Sequence, residues 1–124
     1  MALGETGAAK ALPLTGATVL GRCEAVPSPF PGLPDGIVGL AVVQAASGTT
    51  MDIFGAGGGG SPVGRSSATI GGFGAGPGMP TGSSGTANAI LTSNGATATV
   101  TVGGYGDPAS KTCTFLWEAV ETPN

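Results

Sequence analysis

Few residues in this chain could carry out acid–base or nucleophilic chemistry. There is no histidine, which removes the usual general base and the commonest metal ligand. A serine or cysteine nucleophile would therefore lack its imidazole partner. The seven carboxylates lie too far apart along the chain to suggest a catalytic pair: Glu5, Glu24, Asp35, Asp52, Asp107, Glu118 and Glu121. These features predict a protein that is not an enzyme.

One glycine motif matches a cofactor-binding pattern. Gly55, Gly57 and Gly60 satisfy the G-x-G-x-x-G spacing of a dinucleotide-binding loop. That loop must be followed by a helix whose N-terminus faces the pyrophosphate. The next residues, 61–64, read Ser-Pro-Val-Gly and begin no helix, and in so glycine-rich a run the spacing arises by chance. We expect no cofactor and no metal site.

Cys23 and Cys113 are the only cysteines, and each lies in a predicted strand near one end of the chain. A disulfide between them would close a loop of about 90 residues and contribute roughly 4–5 kcal/mol in the chain-entropy model. Two buried free thiols are the alternative, and the sequence does not decide between them. A metal site built from two cysteines without histidine is disfavoured.

The charge content of the chain excludes several classes of partner. Charged residues make up 9% of the 124 residues, against about 25% in an ordinary soluble domain. The net charge is −3, and the four cations are scattered: Lys10, Arg22, Arg65 and Lys111. With no basic patch, we expect neither nucleic acid nor an anionic membrane as partner. So low a charge suggests a surface covered by neighbouring subunits, or a compact domain with flexible glycine loops.

No targeting or membrane-spanning segment is visible in the sequence. The longest apolar run, residues 37–46, is interrupted by Gly39 and Gln44 and is too short to span a bilayer. Residues 1–5 lack the charged and apolar regions of a secretory signal. We therefore expect a protein assembled in the cytoplasm, or one from which a signal has been removed.

The hydrophobic pattern predicts short strands separated by glycine and proline turns. Residues 17–26 form the first strand. A proline-rich segment then ends in an Asp35-Gly36 turn, and residues 37–45 and 49–54 form a hairpin about Ser47-Gly48. Residues 89–92 and 97–102 form another hairpin about Asn94-Gly95. Residues 103–108 are a predicted loop, and residues 112–120 a final strand. In that strand, Leu116 and Val120 face away from four other apolar side chains: Cys113, Phe115, Trp117 and Ala119.

Between residues 55 and 88 lie 34 residues, of which 13 are glycine. The sequence Phe-Gly-Ala-Gly at Phe54 recurs at Phe73, which is either a low-complexity coincidence or a pair of arms built on one plan. Together with Tyr105, these two aromatic residues are the candidates for an interaction arm.

We therefore predict a mainly β, single small sandwich or barrel-like domain with six or so strands. Residues 17–54 and 89–124 form its core, residues 1–16 an extended N-terminal arm, and residues 55–88 a Gly-rich loop or arm.

Part of the predicted hairpin resembles a known family. Residues Gly39-Leu40-Ala41-Val42, Ala45-Ala46, Thr49-Thr50 and Phe54 resemble a segment of the lambda-type bacteriophage head decoration proteins. Those proteins are small, rich in alanine, glycine and threonine, and lack signal peptides. They sit as trimers on the capsid and cement it after expansion. The resemblance, confined to residues 39–54, implies a virion-surface protein assembled in the host cytoplasm.

The functional prediction is accordingly a non-catalytic structural protein of a virion, a capsid decoration protein acting through subunit–subunit contacts. Its partners would be the major capsid protein or other virion subunits, and it would form homo-oligomers on the assembly. One alternative is a secreted or surface β-sandwich module that binds carbohydrate or protein. Another is a phage tail or fibre component.

Overall fold

The computed structural model of the chain is a sandwich of two antiparallel β-sheets. It describes residues 2, 4–45, 49–55, 67–93 and 95–124. The strands within those residues are β1 Thr6–Leu12, β2 Ala17–Val26, β3 Gly36–Gln44, β4 Thr50–Gly55, β5 Ser67–Ala75, β6 Ser83–Ser93, β7 Ala96–Asp107 and β8 Thr112–Pro123. The first sheet has the order β1-β2-β3-β5, and the second has the order β4-β6-β7-β8. The predicted mainly β, sandwich-like domain is confirmed.

The strands with the clearest sequence alternation fold as predicted. In β7, Ala98, Val100 and Val102 are buried, whereas the intervening threonines are exposed or half-buried. The turn between β6 and β7 places Gly95 at φ +71°, a left-handed conformation that glycine adopts at little cost. The hairpin predicted about Asn94-Gly95 is confirmed by the pairing of Ser93 with Ala96, although Asn94 itself lies outside the described residues.

The hairpin predicted between residues 37–45 and 49–54 is wrong. β3 pairs with β2 and β5 in the first sheet, whereas β4 pairs with β6 in the second sheet. Both segments form strands as predicted, but a strand-forming sequence does not determine which other strand it pairs with. The turn residues Ser47 and Gly48 lie outside the described residues.

The prediction of an extended N-terminal arm is also wrong. Thr6–Leu12 forms the edge strand β1, paired antiparallel with β2. Pro13 and Gly16 lie in the turn that joins the two strands. The Gly16 amide donates to the Leu12 carbonyl at 2.8 Å, with Gly16 at φ +75°.

Of the predicted Gly-rich loop, most of the residues that the structure describes are regular sheet. Ser67–Ala75 forms β5, and Ser83 begins β6, so residues 67–75 and 83–88 belong to the β core. Glycine has low strand propensity because it offers no side chain to pack. Here the missing side chains leave room for close contacts, since a Cβ at Gly71 would lie 2.6 Å from the Ala87 Cβ. Residues 56–66 lie outside the described part of the chain.

The two sheets are joined covalently by a disulfide between Cys23 on β2 and Cys113 on β8. Both residues are fully buried. Gly39, which pairs with Cys23 in the sheet, leaves space for this crossing, because a Cβ there would lie 3.2 Å from the Cys113 Cβ and 3.1 Å from the Phe115 ring. Of the two alternatives that the sequence left open, the structure has the disulfide.

The edge of β8 is closed at both ends by the N-terminal part of the chain. Ala2 forms a bridge with Thr112 at one end. At the other end the Glu121 carboxylate accepts the backbone N–H groups of Thr15 at 2.7 Å and Leu14 at 3.1 Å, and the Thr15 hydroxyl at 2.8 Å. Partial burial tends to raise the pKa of Glu121, but these hydrogen bonds outweigh it and hold the pKa below its ordinary value.

Glu121→Gln is expected to lower the free energy of unfolding at neutral pH by about 1 kcal/mol, since a charged acceptor of three hydrogen bonds is lost. Because folding lowers the pKa, the stabilisation is present above the ordinary glutamate pKa and is lost as the pH falls through the folded value. Urea unfolding at a series of pH values measures the free energy of unfolding of the parent protein and of the variant. The two free energies should become equal in acid. Glu118→Gln, an exposed position on the same strand, is the control. A difference in the free energy of unfolding that persists unchanged in acid would contradict a stabilising role for the ionised Glu121 carboxylate.

Candidate functional site

Within the part of the chain that the structure describes, the groups with chemical reactivity do not converge. Among the described residues no group of three or more histidine, cysteine, aspartate or glutamate side chains is placed to hold a metal ion. Neither cysteine is a free thiol. The G-x-G-x-x-G motif begins at Gly55 in β4, and Gly57 and Gly60 lie outside the described residues. The absence of enzymatic activity and of a cofactor stays a prediction.

The outward side of β6, β7 and β8 is a broad surface with very few charges. The pairing register places its side chains in cross-strand rows. We call this surface the outer face and define it by its residues: Ser84, Thr86, Asn88, Ile90 and Thr92 on β6; Thr97, Thr99, Thr101, Gly103 and Tyr105 on β7; Thr114, Leu116, Glu118, Val120 and Thr122 on β8. Glu118 is the one charged residue among them.

Two aliphatic side chains project from the outer face into solvent. Leu116 is 73% exposed and Val120 is 57% exposed. They flank Glu118 on β8, and Val120 lies in one row with Thr99 and the half-buried Ile90. This side of β8 therefore exposes two aliphatic side chains with one carboxylate between them.

A shallow groove of about 330 Å³ crosses the outer face beside Leu116. It lies over Gly103, which has no side chain to fill the space beside Leu116. Its walls carry Leu116, Tyr105 and the hydroxyl-bearing residues Ser84, Thr86 and Thr114. Tyr105 is 41% exposed, so an aromatic ring and several hydroxyl groups border the same groove.

The residues predicted for an interaction arm have separate locations. Tyr105 lies on the outer face, but in β7 and not in the predicted loop at 103–108. Phe73 is only 4% exposed and belongs to the core, so its assignment to an arm is wrong. Phe54 lies in β4, and its side chain is outside what the structure describes.

The sequence alone does not identify Leu116 and Val120 as interaction residues, although it does indicate which side of the strand they occupy. The alternation in residues 112–120 correctly predicts that they face away from Cys113, Phe115 and Trp117. That strand carries apolar residues on both sides, and in a sandwich of two sheets only one side of each strand faces the core. Which of its two sides faces the core follows from long-range pairings that the local pattern does not contain.

A second concave region lies at one end of the sandwich, between the loops that follow β2, β5 and β7. This end pocket has a volume of about 400 Å³ and is bordered mainly by apolar residues, with Asp35 and Lys111 among them. It shares no residue with the outer-face groove.

Comparison of the chain with protein-family models, with curated proteins and with solved structures finds no match. None of the described residues belongs to a helix with the length and hydrophobicity needed to cross a bilayer. The fold and the outer face define the class as an all-β sandwich with an uncovered, weakly charged surface.

Proposed function

We propose that this chain is a non-catalytic structural protein of a virion, a capsid decoration protein that acts through subunit–subunit contacts made by the outer face. Its partners are the major capsid protein and further copies of itself on the capsid. The observation that carries the proposal is the exposure of Leu116 and Val120 on a surface with one charged residue.

The physics of such a surface suits attachment to a repetitive lattice. Removing apolar area from water contributes about 25 cal/mol per Å². The threonines and glycines of the outer face are uncharged, so burying them does not require a charge to leave water. A stable contact needs roughly 1,000 Å² or more of buried surface. On a capsid each contact is repeated by symmetry, so avidity allows modest individual interfaces. The resemblance of residues 39–54 to lambda-type decoration proteins points the same way.

A second function, a secreted or surface module that binds carbohydrate, is favoured by two observations. Tyr105 borders the outer-face groove together with three hydroxyl-bearing residues, which offers a ring for stacking and groups for hydrogen bonding. The disulfide between Cys23 and Cys113 is typical of proteins in oxidising, extracellular environments.

Leu116→Lys combined with Val120→Lys is expected to reduce binding to capsids at least tenfold. Fully burying an aliphatic side chain of this kind is worth about 1.5–3 kcal/mol, and about 1.4 kcal/mol corresponds to tenfold in affinity. The measurement is co-sedimentation with capsids of the virus whose genome encodes the chain. Because both side chains are exposed, the variant should unfold at the same urea concentration as the parent protein.

The control is Leu14→Lys, an exposed leucine in the turn between β1 and β2, away from the outer face. It should bind capsids like the parent protein. A gene that lies in no viral or proviral genome would contradict the capsid proposal. So would a strict monomer that binds glycans on an array and loses that binding in Tyr105→Ala, an outcome that supports the carbohydrate-binding function.

A further inference from the structure

The end pocket has the features of a prebuilt binding site. Its apolar border comes from three loops and the strand ends beside them, and includes Pro34, Ile37, Met79, Pro80, Pro108 and Ala109. Proline fixes φ near −65° and so limits the freedom of the loops that carry it. The volume of about 400 Å³ lies at the lower end of the range for ligand sites, about 300–1,000 Å³. It accommodates one side chain or small ring.

Hydrogen bonds hold the three loops in place around the pocket. The Ser28 amide donates to the Asp35 carboxylate at 2.9 Å. The Gly78 amide donates to the Pro34 carbonyl at 3.0 Å, which ties the loop after β5 to the loop after β2. In the loop after β7, the Asp107 carboxylate accepts the Ala109 amide at 3.0 Å and the Ser110 hydroxyl at 2.8 Å. A site that is already ordered loses little entropy when it binds.

Lys111 has an unusual backbone conformation for its type. Its φ is +55°, and it is the one non-glycine residue with positive φ within the described part of the chain. Side chains other than glycine, asparagine and aspartate adopt this region rarely, and such residues cluster at functional sites. Lys111 is exposed and forms no ion pair with any described residue. The fold thus holds an unneutralised cation at the border of an apolar pocket.

Asp35 supplies a complementary group on the same pocket. One of its carboxylate oxygens, Oδ1, accepts the Ser28 amide, and Oδ2 has no hydrogen-bond partner among the described residues. A ligand that fits this arrangement carries an apolar group for the pocket, an anion for Lys111 and an N–H donor for Asp35. A peptide with an aromatic side chain beside an acidic side chain has all three groups.

Exposed apolar side chains next to the pocket indicate a protein partner and not a free small molecule. Met79 borders the pocket and is largely exposed. Leu33 is exposed and lies beside Gly78, where a Cβ would be 3.3 Å from its Cδ2. Phe30, also exposed, lies in the same turn as Leu33. A small molecule in the pocket would leave these side chains in water, whereas a longer segment could cover them.

We infer that the end pocket binds a segment of a partner protein that inserts an aromatic side chain and pairs an adjacent carboxylate with Lys111. The inference goes beyond the proposed function, because the pocket shares no residue with the outer-face groove. Charge-assisted hydrogen bonds of this kind are about twice as strong as neutral ones, so the carboxylate confers selectivity among apolar segments.

The test is a titration of the ¹⁵N-labelled protein with three blocked dipeptides, followed by NMR. Acetyl-Trp-Asp-amide is expected to bind saturably and to shift amides of residues 35–37, 79 and 109–111. Acetyl-Trp-Asn-amide should bind at least about fivefold more weakly because it lacks the charge. Acetyl-Ala-Asp-amide should produce no saturable shift because it lacks the ring.

Lys111→Gly separates the binding role of Lys111 from any structural role. Glycine accepts positive φ without strain, so this variant should unfold at the same or a higher urea concentration while losing the preference for Trp-Asp over Trp-Asn. Lys10→Met, which removes an exposed cation on β1, is the control and should keep that preference. Equal affinity for the two tryptophan peptides in the parent protein would overturn the inference. Shifts confined to the outer face, or no saturable binding by acetyl-Trp-Asp-amide, would do so as well.

Discussion

Replacing Cys23 and Cys113 together with alanine is expected to lower the free energy of unfolding by about 4–5 kcal/mol. The two residues are 90 positions apart in the sequence. A cross-link over a loop of that size restricts the unfolded chain by about this amount in the chain-entropy model. Since small domains are stable by only about 5–15 kcal/mol, a loss of this size removes between about a third and all of the parent stability.

The location of the disulfide adds to this effect. Cys23 lies on an inner strand of the first sheet and Cys113 on an edge strand of the second. Phe115, half-buried, packs against the cluster that contains both cysteines and against the main core. Without the bond, the two sheets are held together at this end by side-chain packing and by the bridge between Ala2 and Thr112, and the edge strand β8 can separate more easily.

Urea unfolding followed by the fluorescence of Trp117 measures the loss. Trp117 is the one tryptophan of the chain, and it stacks on Phe115 with ring centroids 5.7 Å apart. Adding a reductant should move the parent protein close to the double alanine variant and leave that variant unchanged. Alkylation of two thiols in the native, unreduced protein would contradict the expectation.

The sequence was informative where structure depends on local pattern. Alternation predicted the buried sides of β7 and β8, and the dipeptide Asn94-Gly95 predicted the turn between β6 and β7. In each case the signal lies within a few neighbouring residues. A glycine with positive φ favours a turn, and a run of alternating apolar residues sets the buried side of a strand. Neither effect depends on distant parts of the chain.

Strand partners and glycine-rich strands could not be predicted in this way. β3 and β4 are close in sequence but lie in different sheets, because their partners β2, β5 and β6 are set by long-range pairing. β5 has a low strand propensity, and its fit depends on Ala87, which comes from another strand. The end pocket combines residues from Ala25 to Lys111, so no short motif could reveal it. Of the outer face, the sequence nominates only Tyr105.

Phe73→Ala is the second change with a large expected effect, a loss of about 3–5 kcal/mol in the free energy of unfolding. Phe73 on β5 is almost fully buried. Its ring points across the sandwich onto glycines of the second sheet, where a Cβ at Gly85 would lie 3.0 Å from the ring and a Cβ at Gly104 would overlap it. It also contacts Phe115 edge to face, with centroids 6.4 Å apart. Removing the ring leaves a cavity between the two sheets.

Gly104→Ala tests the same contact from the other side. An added methyl group must displace the Phe73 ring, and overpacking of this kind costs about 1–3 kcal/mol. Gly76→Ala is the matched control, because its Cβ would meet nothing within 4 Å and Gly76 has no positive φ. Urea unfolding of these variants should place Gly76→Ala near the parent protein.

The double variant Phe73→Ala/Gly104→Ala decides whether the glycines of β7 are there to receive the ring. If they are, the methyl group added at position 104 enters space that Phe73 has vacated, and the combined loss is smaller than the sum of the two single losses. A coupling of about 1 kcal/mol or more is within the range for residues in contact. Additive losses would instead mean that Gly104 is required for its backbone alone. The coupling therefore shows whether Gly104 only lowers the strand propensity of β7 or also makes room for the Phe73 ring. The close approach of that ring to Gly104 predicts the second result.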